Sequence, residues 1–108
     1  MSIGNTRDYS FLDTKYIIPY TYFMLLYFYG KDCPHCENMN ALVKRLEGED
    51  FQFEWMEVFE NKNNEALMVE YDKEQCGGVP FLYNTDTGKW LCGETPYLET
   101  RAWALGED

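Results

Sequence analysis

The segment Cys33-Pro34-His35-Cys36 joins an apolar run to a stretch with helical periodicity, and this junction constrains the fold more than any other part of the chain. Residues 24–29 are apolar throughout, which is typical of a strand buried on both faces of a sheet. Pro34 suits the first turn of a helix, where its missing N–H costs nothing. We therefore expect Cys33 at a helix N-terminus, where free N–H groups and the helix dipole favour a thiolate, the form that attacks disulfides.

Periodicity and turn residues predict the remaining elements. They are a strand over 24–29, a helix over 34–47, a strand over 51–59, a helix from 61 or 63 to about 75, strands over 81–83 and 89–91, and a last helix that begins at Thr95-Pro96. In that last helix Thr95 is the expected cap, and Leu98, Ala102 and Leu105 form the expected apolar stripe. The order β-α-β-α-β-β-α predicts an α/β domain in which helices flank one central mixed sheet.

Length and charge restrict the class of protein. A chain of 108 residues, 45% hydrophobic, forms one domain, and we divide it into an N-terminal extension of uncertain structure (1–21) and a folded domain (22–108). Four cysteines are too few for a disulfide scaffold. The net charge of −10 argues against a nucleic-acid partner. The N-terminus lacks the pattern of a signal peptide, and Pro19 interrupts an apolar stretch too short to span a bilayer. We expect a cytoplasmic monomer with no membrane partner.

The chain resembles the thioredoxin-fold superfamily over roughly residues 23–105. Three features carry the resemblance: the Cys33-Pro34-His35-Cys36 motif after the first core strand, the element order, and Val79-Pro80 just before the third strand. In that family the proline before the third strand has a cis peptide bond and faces the motif across the substrate groove. The resemblance implies the same for Pro80, and proline is the residue before which a cis bond costs little.

Different features of the chain resemble different branches of the superfamily. The short core and Val79 are similar to glutaredoxins, and the Pro-His dipeptide is similar to that of periplasmic disulfide oxidants. Thioredoxins proper usually have a tryptophan before the first cysteine and a buried acid six residues before it, where this chain has Asp32 and Tyr27. Glutaredoxins bind glutathione with a Gly-Gly followed by an acid at the start of the last helix, and Gly93-Glu94 is a partial match.

Together these features predict a thiol–disulfide oxidoreductase with a dithiol mechanism. Cys33 is the expected nucleophile and Cys36 the resolving thiol. The substrate is a disulfide-containing protein or glutathione, no bound cofactor is expected, and glutathione is a candidate co-substrate. The expected substrate contacts are Val79, Pro80, Lys31, Gly93 and Glu94.

Several residues have two interpretations. His35, with Pro34 beside it, either lowers the pKa of Cys33 through a positive charge or is an exposed residue with little effect. Lys31 either adds positive potential to the site or forms a solvated loop pair with Asp32. The Cys33/Cys36 pair itself has two alternatives. One is a binding module that docks a partner or ligates a metal or iron–sulfur cluster with little turnover, and the other is a redox-sensing or structural subunit in which the disulfide only stabilises the fold.

The other two cysteines, Cys76 and Cys92, are expected to be partly buried apolar residues that are dispensable for turnover. The alternative is a second redox pair or a regulatory thiol, because Cys76 lies four residues before Pro80. No zinc site is expected, because a second Cys-x-x-Cys is missing and the remaining spacings do not suit the metal.

Overall fold

Seven elements follow one another in the predicted order in the computed structural model, which describes residues 24–107. They are β1 (Leu25–Tyr29), α1 (Pro34–Glu47), β2 (Phe53–Glu57), α2 (Lys62–Asp72), β3 (Phe81–Asn84), β4 (Trp90–Cys92) and α3 (Tyr97–Leu105). The predicted N-terminal extension, residues 1–21, lies outside the described residues. No helix in the described part of the chain has the length and apolar character needed to cross a bilayer.

The four strands form one mixed sheet in the order β2-β1-β3-β4. β1 runs parallel to β2 and antiparallel to β3, and β4 is antiparallel to β3. The central strand β1 is buried on both faces, which explains its unbroken apolar sequence. Leu25 and Tyr27 belong to one hydrophobic cluster with residues of α1 and α3, while Leu26 and Phe28 belong to another with a residue of α2. The predicted α/β class and mixed sheet are confirmed.

Helix α1 confirms the prediction from periodicity in both its ends and its buried face. Pro34 occupies its first turn, and Gly48 caps its C-terminus. The spacing i, i+3, i+4 and i+7 predicts an apolar face of Met39, Leu42, Val43 and Leu46; Leu42 is half-buried and the other three are buried. This burial fixes the orientation of the helix against the sheet, and so fixes where its N-terminus, with the cysteine motif, lies relative to β1.

Helix α3 corrects the prediction for the last element. It begins at Tyr97, its N-cap position is Pro96, and no side chain caps it. Leu98 is 75% exposed and Leu105 is also exposed. The buried residues are Thr100, Trp103 and Ala104, because the Trp103 indole packs in the core and donates to the Lys89 carbonyl at 2.9 Å. The Trp103 ring, with its N–H hydrogen-bonded, determines which face of α3 packs inward. The spacing of the aliphatic residues alone predicted a different face.

Smaller corrections concern element ends. Strands β3 and β4 end one residue later than predicted, at Asn84 and Cys92. The buried Asn84 side chain closes the hairpin by accepting the N–H groups of Asp86 and Thr87. Strand β2 is shorter than the predicted 51–59. Helix α2 starts after the predicted cap Asn61, whose side chain accepts the Asn64 N–H, but it ends three residues early, where the backbone turns left-handed.

Candidate functional site

The cysteine motif and the loop with the proline belong to the same end of the sheet. Phe28, near the end of β1, pairs with Phe81 at the start of β3, which in turn pairs with Cys92 at the end of β4. The Gly93 N–H donates to the Pro80 carbonyl at 2.8 Å. The C-terminal ends of β1 and β4 therefore meet the N-terminal end of β3, and the α1 N-terminus follows β1 at this edge.

Cys33 is the N-cap residue of α1, with an extended backbone. Its sulfur accepts the Cys36 N–H at 3.3 Å, in the manner of a capping side chain. The side chain is half-buried and its thiol is free. A negative charge on this sulfur would lie beside unpaired N–H groups at the positive end of the helix dipole. The sequence predicted this location for Cys33.

Cys36 lies one turn further along and has no exposed surface. Burial, followed by the hydrogen bond with Cys33, raises the pKa of the Cys36 thiol to about 12. The Gly30 N–H, 3.4 Å from the Cys36 sulfur, acts in the opposite direction because it stabilises the thiolate. The two thiols therefore differ in environment: one is accessible at a helix terminus, and the other is buried and held protonated.

Tyr27 lies in β1, six residues before Cys33. It is fully buried, and its hydroxyl is 2.6 Å from Asn40 Oδ1 and 3.1 Å from the Cys36 carbonyl. Burial, with the two cysteines contributing next, raises its pKa far above the ordinary value for tyrosine. Tyr27 is thus a neutral hydrogen-bond donor under the motif.

His35 contacts a residue from another part of the chain, Glu94. The imidazole Nδ1 is 2.5 Å from Glu94 Oε1, and Asn38 Nδ2 donates to Glu94 Oε2 at 2.9 Å. These two hydrogen bonds, that of His35 first, lower the pKa of the Glu94 carboxyl. Sequence reasoning named both His35 and Glu94 as site residues, but it did not foresee that they touch. Their contact joins the start of α1 to the segment between β4 and α3.

A groove of about 290 Å³ lies beside this contact, between α1 and the segment before α3. Its walls combine apolar and polar groups: Asn38, Met39, Leu42, Glu94, Thr95 and Pro96. Of these, sequence reasoning placed only Glu94 in the candidate site.

Lys31 lies in the turn between β1 and the motif, and its side chain is exposed. The Lys31 Nζ is 3.6 Å from Glu60 Oε2, and the backbone N–H of Lys31 donates to Glu57 Oε2 at 2.9 Å. The neighbouring Asp32 is exposed and has a left-handed backbone, with φ of 63°. The ion partner of Lys31 is thus Glu60, a residue that the sequence analysis did not consider.

The peptide bond between Val79 and Pro80 is cis, as predicted. Pro80 is buried and Val79 is half-buried. Two further predicted contacts, Gly93 and Glu94, follow β4 directly, and Gly93 is tied to Pro80 through the backbone hydrogen bond described above.

Cys76 and Cys92 form a disulfide, with their Cα atoms 5.5 Å apart. The expectation of two separate, partly buried apolar residues is therefore wrong. The strand register brings the end of β4 against the loop after α2, and the Cα separation lies in the usual range for a bridge. Only this register could have paired them, because the spacing of cysteines in the sequence does not determine connectivity.

Asp72 is a residue that sequence reasoning missed. Its carboxylate is only 4% exposed and accepts the N–H groups of Cys76 and Gly77, at 2.6 and 2.8 Å. It thereby anchors the start of the loop that leads to Pro80. This role was difficult to predict from the sequence, because an acid near a helix C-terminus is usually a solvated residue.

Among residues 24–107, no three side chains of His, Cys, Asp or Glu are grouped so that they could hold a metal ion. Comparison of the sequence with protein-family models and with curated proteins gives no match.

Proposed function

We propose that the chain is a thiol–disulfide oxidoreductase of the thioredoxin-fold superfamily that uses Cys33 and Cys36 as a dithiol. The element order, the position of the motif at the start of α1 and the cis bond before Pro80 support membership of that superfamily. No bound cofactor is needed, because the two thiols themselves carry the electrons.

One observation carries the proposal: the Cys33 sulfur accepts the Cys36 N–H at the helix N-terminus, while the Cys36 sulfur lies buried one turn away. A nucleophile needs access, and the half-buried Cys33 has it at a helix N-terminus, where backbone N–H groups point toward the sulfur. A resolving thiol must stay protonated until the first exchange has occurred, and the raised pKa of Cys36 meets this need. A merely structural pair of cysteines would not need two such different environments.

The exchange has two balanced steps. The Cys33 thiolate attacks one sulfur of the substrate disulfide, a Cys33–substrate disulfide forms, and the other substrate sulfur leaves as a thiolate. Cys36 then loses its proton and attacks the Cys33 sulfur, which releases the second substrate thiol and leaves a Cys33–Cys36 disulfide. Two electrons have passed to the substrate, and two thiols of glutathione or of a dithiol reductase restore the protein. A cytoplasm, where such thiols are abundant, suits this direction.

We assign Val79 and Pro80 to substrate binding, as the backbone against which an extended segment of the substrate lies. This loop and the motif belong to the same end of the sheet. Gly93 and Glu94 border the same region, and Lys31 lies on the turn before the motif. Proteins with an accessible disulfide, or oxidised glutathione, are the substrates that this arrangement fits.

Single-cysteine variants test the proposal. With insulin as substrate, Cys33→Ser should lose catalysed disulfide reduction, because the attacking sulfur is gone. Cys36→Ser should instead accumulate a mixed disulfide on Cys33, detectable by mass spectrometry. Wild-type turnover by Cys33→Ser would overturn the proposal. A wild-type protein that binds partners or metal through the motif without turnover would favour the binding-module alternative.

A further inference from the structure

The Cys76–Cys92 disulfide has no part in the exchange proposed above, yet it lies beside the residues that we assign to substrate binding. Cys76 comes after α2 in the loop that leads to Val79 and Pro80. Cys92 ends β4, opposite Phe81, the residue that follows Pro80. The bridge therefore ties the loop before Pro80 to the strand beside it.

The same bridge holds the segment that contacts the motif. Gly93, the next residue after Cys92, donates to the Pro80 carbonyl at 2.8 Å. Glu94 then reaches His35 inside the motif. A covalent bond at Cys92 thus fixes the start of a short segment that touches both Pro80 and His35.

The loop between the bridge and Pro80 is packed at its two ends, where Cys76 and Val79 contact a core cluster, and open between them. The Asp72 carboxylate holds the N–H groups of Cys76 and Gly77. A Cβ built on Gly77 or Gly78 would meet no atom within 4 Å, so this part of the loop is not packed. Loss of the bridge would therefore leave Gly77 and Gly78 with little to order them, and Val79 held by its packing against the core alone.

The bridge is accessible to a small thiol, because Cys92 is exposed and Cys76 is half-buried. A thiolate of a low-molecular-weight monothiol can attack the Cys92 sulfur, form a mixed disulfide there and release Cys76 as a thiolate. A second monothiol then displaces Cys92. The products are two protein thiols and one small disulfide, so two electrons enter the protein.

We propose that Cys76–Cys92 is a second exchange site, reduced by low-molecular-weight monothiols such as glutathione, and that its state sets the affinity of the Val79-Pro80 loop for substrate. The regulatory part rests on the function proposed above. The bridged form holds the loop in its binding conformation, whereas the dithiol form must order the loop each time a substrate binds.

A redox titration tests the second site independently of turnover. Cys33→Ser/Cys36→Ser protein is equilibrated with mixtures of reduced and oxidised glutathione, its thiols are alkylated, and their number is read by mass spectrometry. We expect two thiols to appear together in protein that remains folded by circular dichroism, and amide exchange at Gly77, Gly78 and Val79 to become faster. A bridge that stays closed at a hundredfold excess of reduced over oxidised glutathione, or that opens only on unfolding, would overturn the second site.

Kinetics of a peptide disulfide substrate test the regulation. Cys76→Ser/Cys92→Ser should raise KM by roughly two- to tenfold, the cost of ordering one or two side chains, and leave kcat unchanged. Each single variant should have the same effect, because either one opens the bridge. An unchanged KM, together with unchanged amide exchange at Val79, would overturn the regulation. If Cys33 and Cys36 of the wild-type protein reduce no substrate disulfide, the proposed function fails, while the titration still decides on the second site.

Discussion

His35 Nδ1 and Glu94 Oε1 lie 2.5 Å apart, although 59 residues separate them in the chain. Their contact places the Glu94 carboxylate beside the motif, and no spacing in the sequence predicts this. When His35 is protonated, the Glu94 carboxylate offsets its charge near Cys33. A positive histidine beside the nucleophile stabilises a negative charge on its sulfur. A carboxylate at this place therefore weakens that stabilisation.

The first prediction concerns Glu94→Gln, which removes this opposing charge. The Cys33/Cys36 reduction potential should become slightly more oxidising, and the shift should be small because the groups are exposed and solvent screens them. Glu99→Gln, the same change at an exposed position of α3, should leave the potential unchanged. Equilibration with glutathione mixtures measures both. A more reducing potential in Glu94→Gln would contradict the role given to the carboxylate.

Glu94 also makes a pH-dependent contribution to stability. Its pKa is lowered in the folded protein, so its stabilising effect is complete above the ordinary pKa of about 4.3 and disappears as pH falls through the lower folded value. The difference in urea midpoint between wild type and Glu94→Gln should shrink as pH falls from about 5 to about 3. A difference in urea midpoint that increases as pH falls would contradict the lowered pKa of Glu94.

The second prediction concerns the buried thiol of Cys36. Because its folded pKa is raised to about 12, the protonated form is favoured and alkylation at pH 8 should modify Cys33 only. Reduced protein should lose stability as pH rises from the ordinary cysteine pKa of about 8.5 toward the folded value. Peptide mapping after iodoacetamide treatment locates the label. Equal labelling of the two cysteines at pH 8 would contradict this difference.

Local parts of the fold could be predicted from the sequence, and the site contacts that depend on distant residues could not. Helix α1 was predictable because Met39, Val43 and Leu46 repeat within one element. The Cys76–Cys92 bridge and the contact between His35 and Glu94 depend on the register of β3 and β4. This register is set by packing across the sheet. A short stretch of sequence does not show that packing, because the residues involved are distant in the chain.

The third prediction is that the Cys76–Cys92 bridge contributes to stability. It spans a sequence separation of 16 residues, and closing a loop of that size lowers the free energy of the folded protein relative to the unfolded chain by about 3 kcal/mol. Urea unfolding of Cys76→Ala/Cys92→Ala should show this loss. Cys76→Ala alone should lose as much, because it also removes the bridge, and a loss under about 1 kcal/mol would contradict the estimate.

The fourth prediction concerns the Tyr27 hydroxyl, whose single proton is shared between Asn40 Oδ1 and the Cys36 carbonyl. Tyr27→Phe leaves these acceptors without that donor in a buried place and should cost about 1–2 kcal/mol of unfolding free energy. Tyr29→Phe is the matched control, since Tyr29 packs against the same Trp55 ring but is only half-buried. Equal stability of the two variants, measured by urea unfolding, would contradict the importance of this hydroxyl.

The last prediction concerns Asp72, whose two carboxylate oxygens accept the N–H groups of Cys76 and Gly77. In Asp72→Asn an NH₂ donor replaces one oxygen and faces an N–H donor, so one partly buried amide loses its acceptor. The expected loss is about 1–3 kcal/mol by urea unfolding, with a rise in KM, because the start of the Val79-Pro80 loop loosens. Asp86→Asn is the control: Asp86 is exposed, and its N–H, not its carboxylate, closes the hairpin. Equal stability and KM in the two variants would show that the Asp72 carboxylate does not anchor the loop.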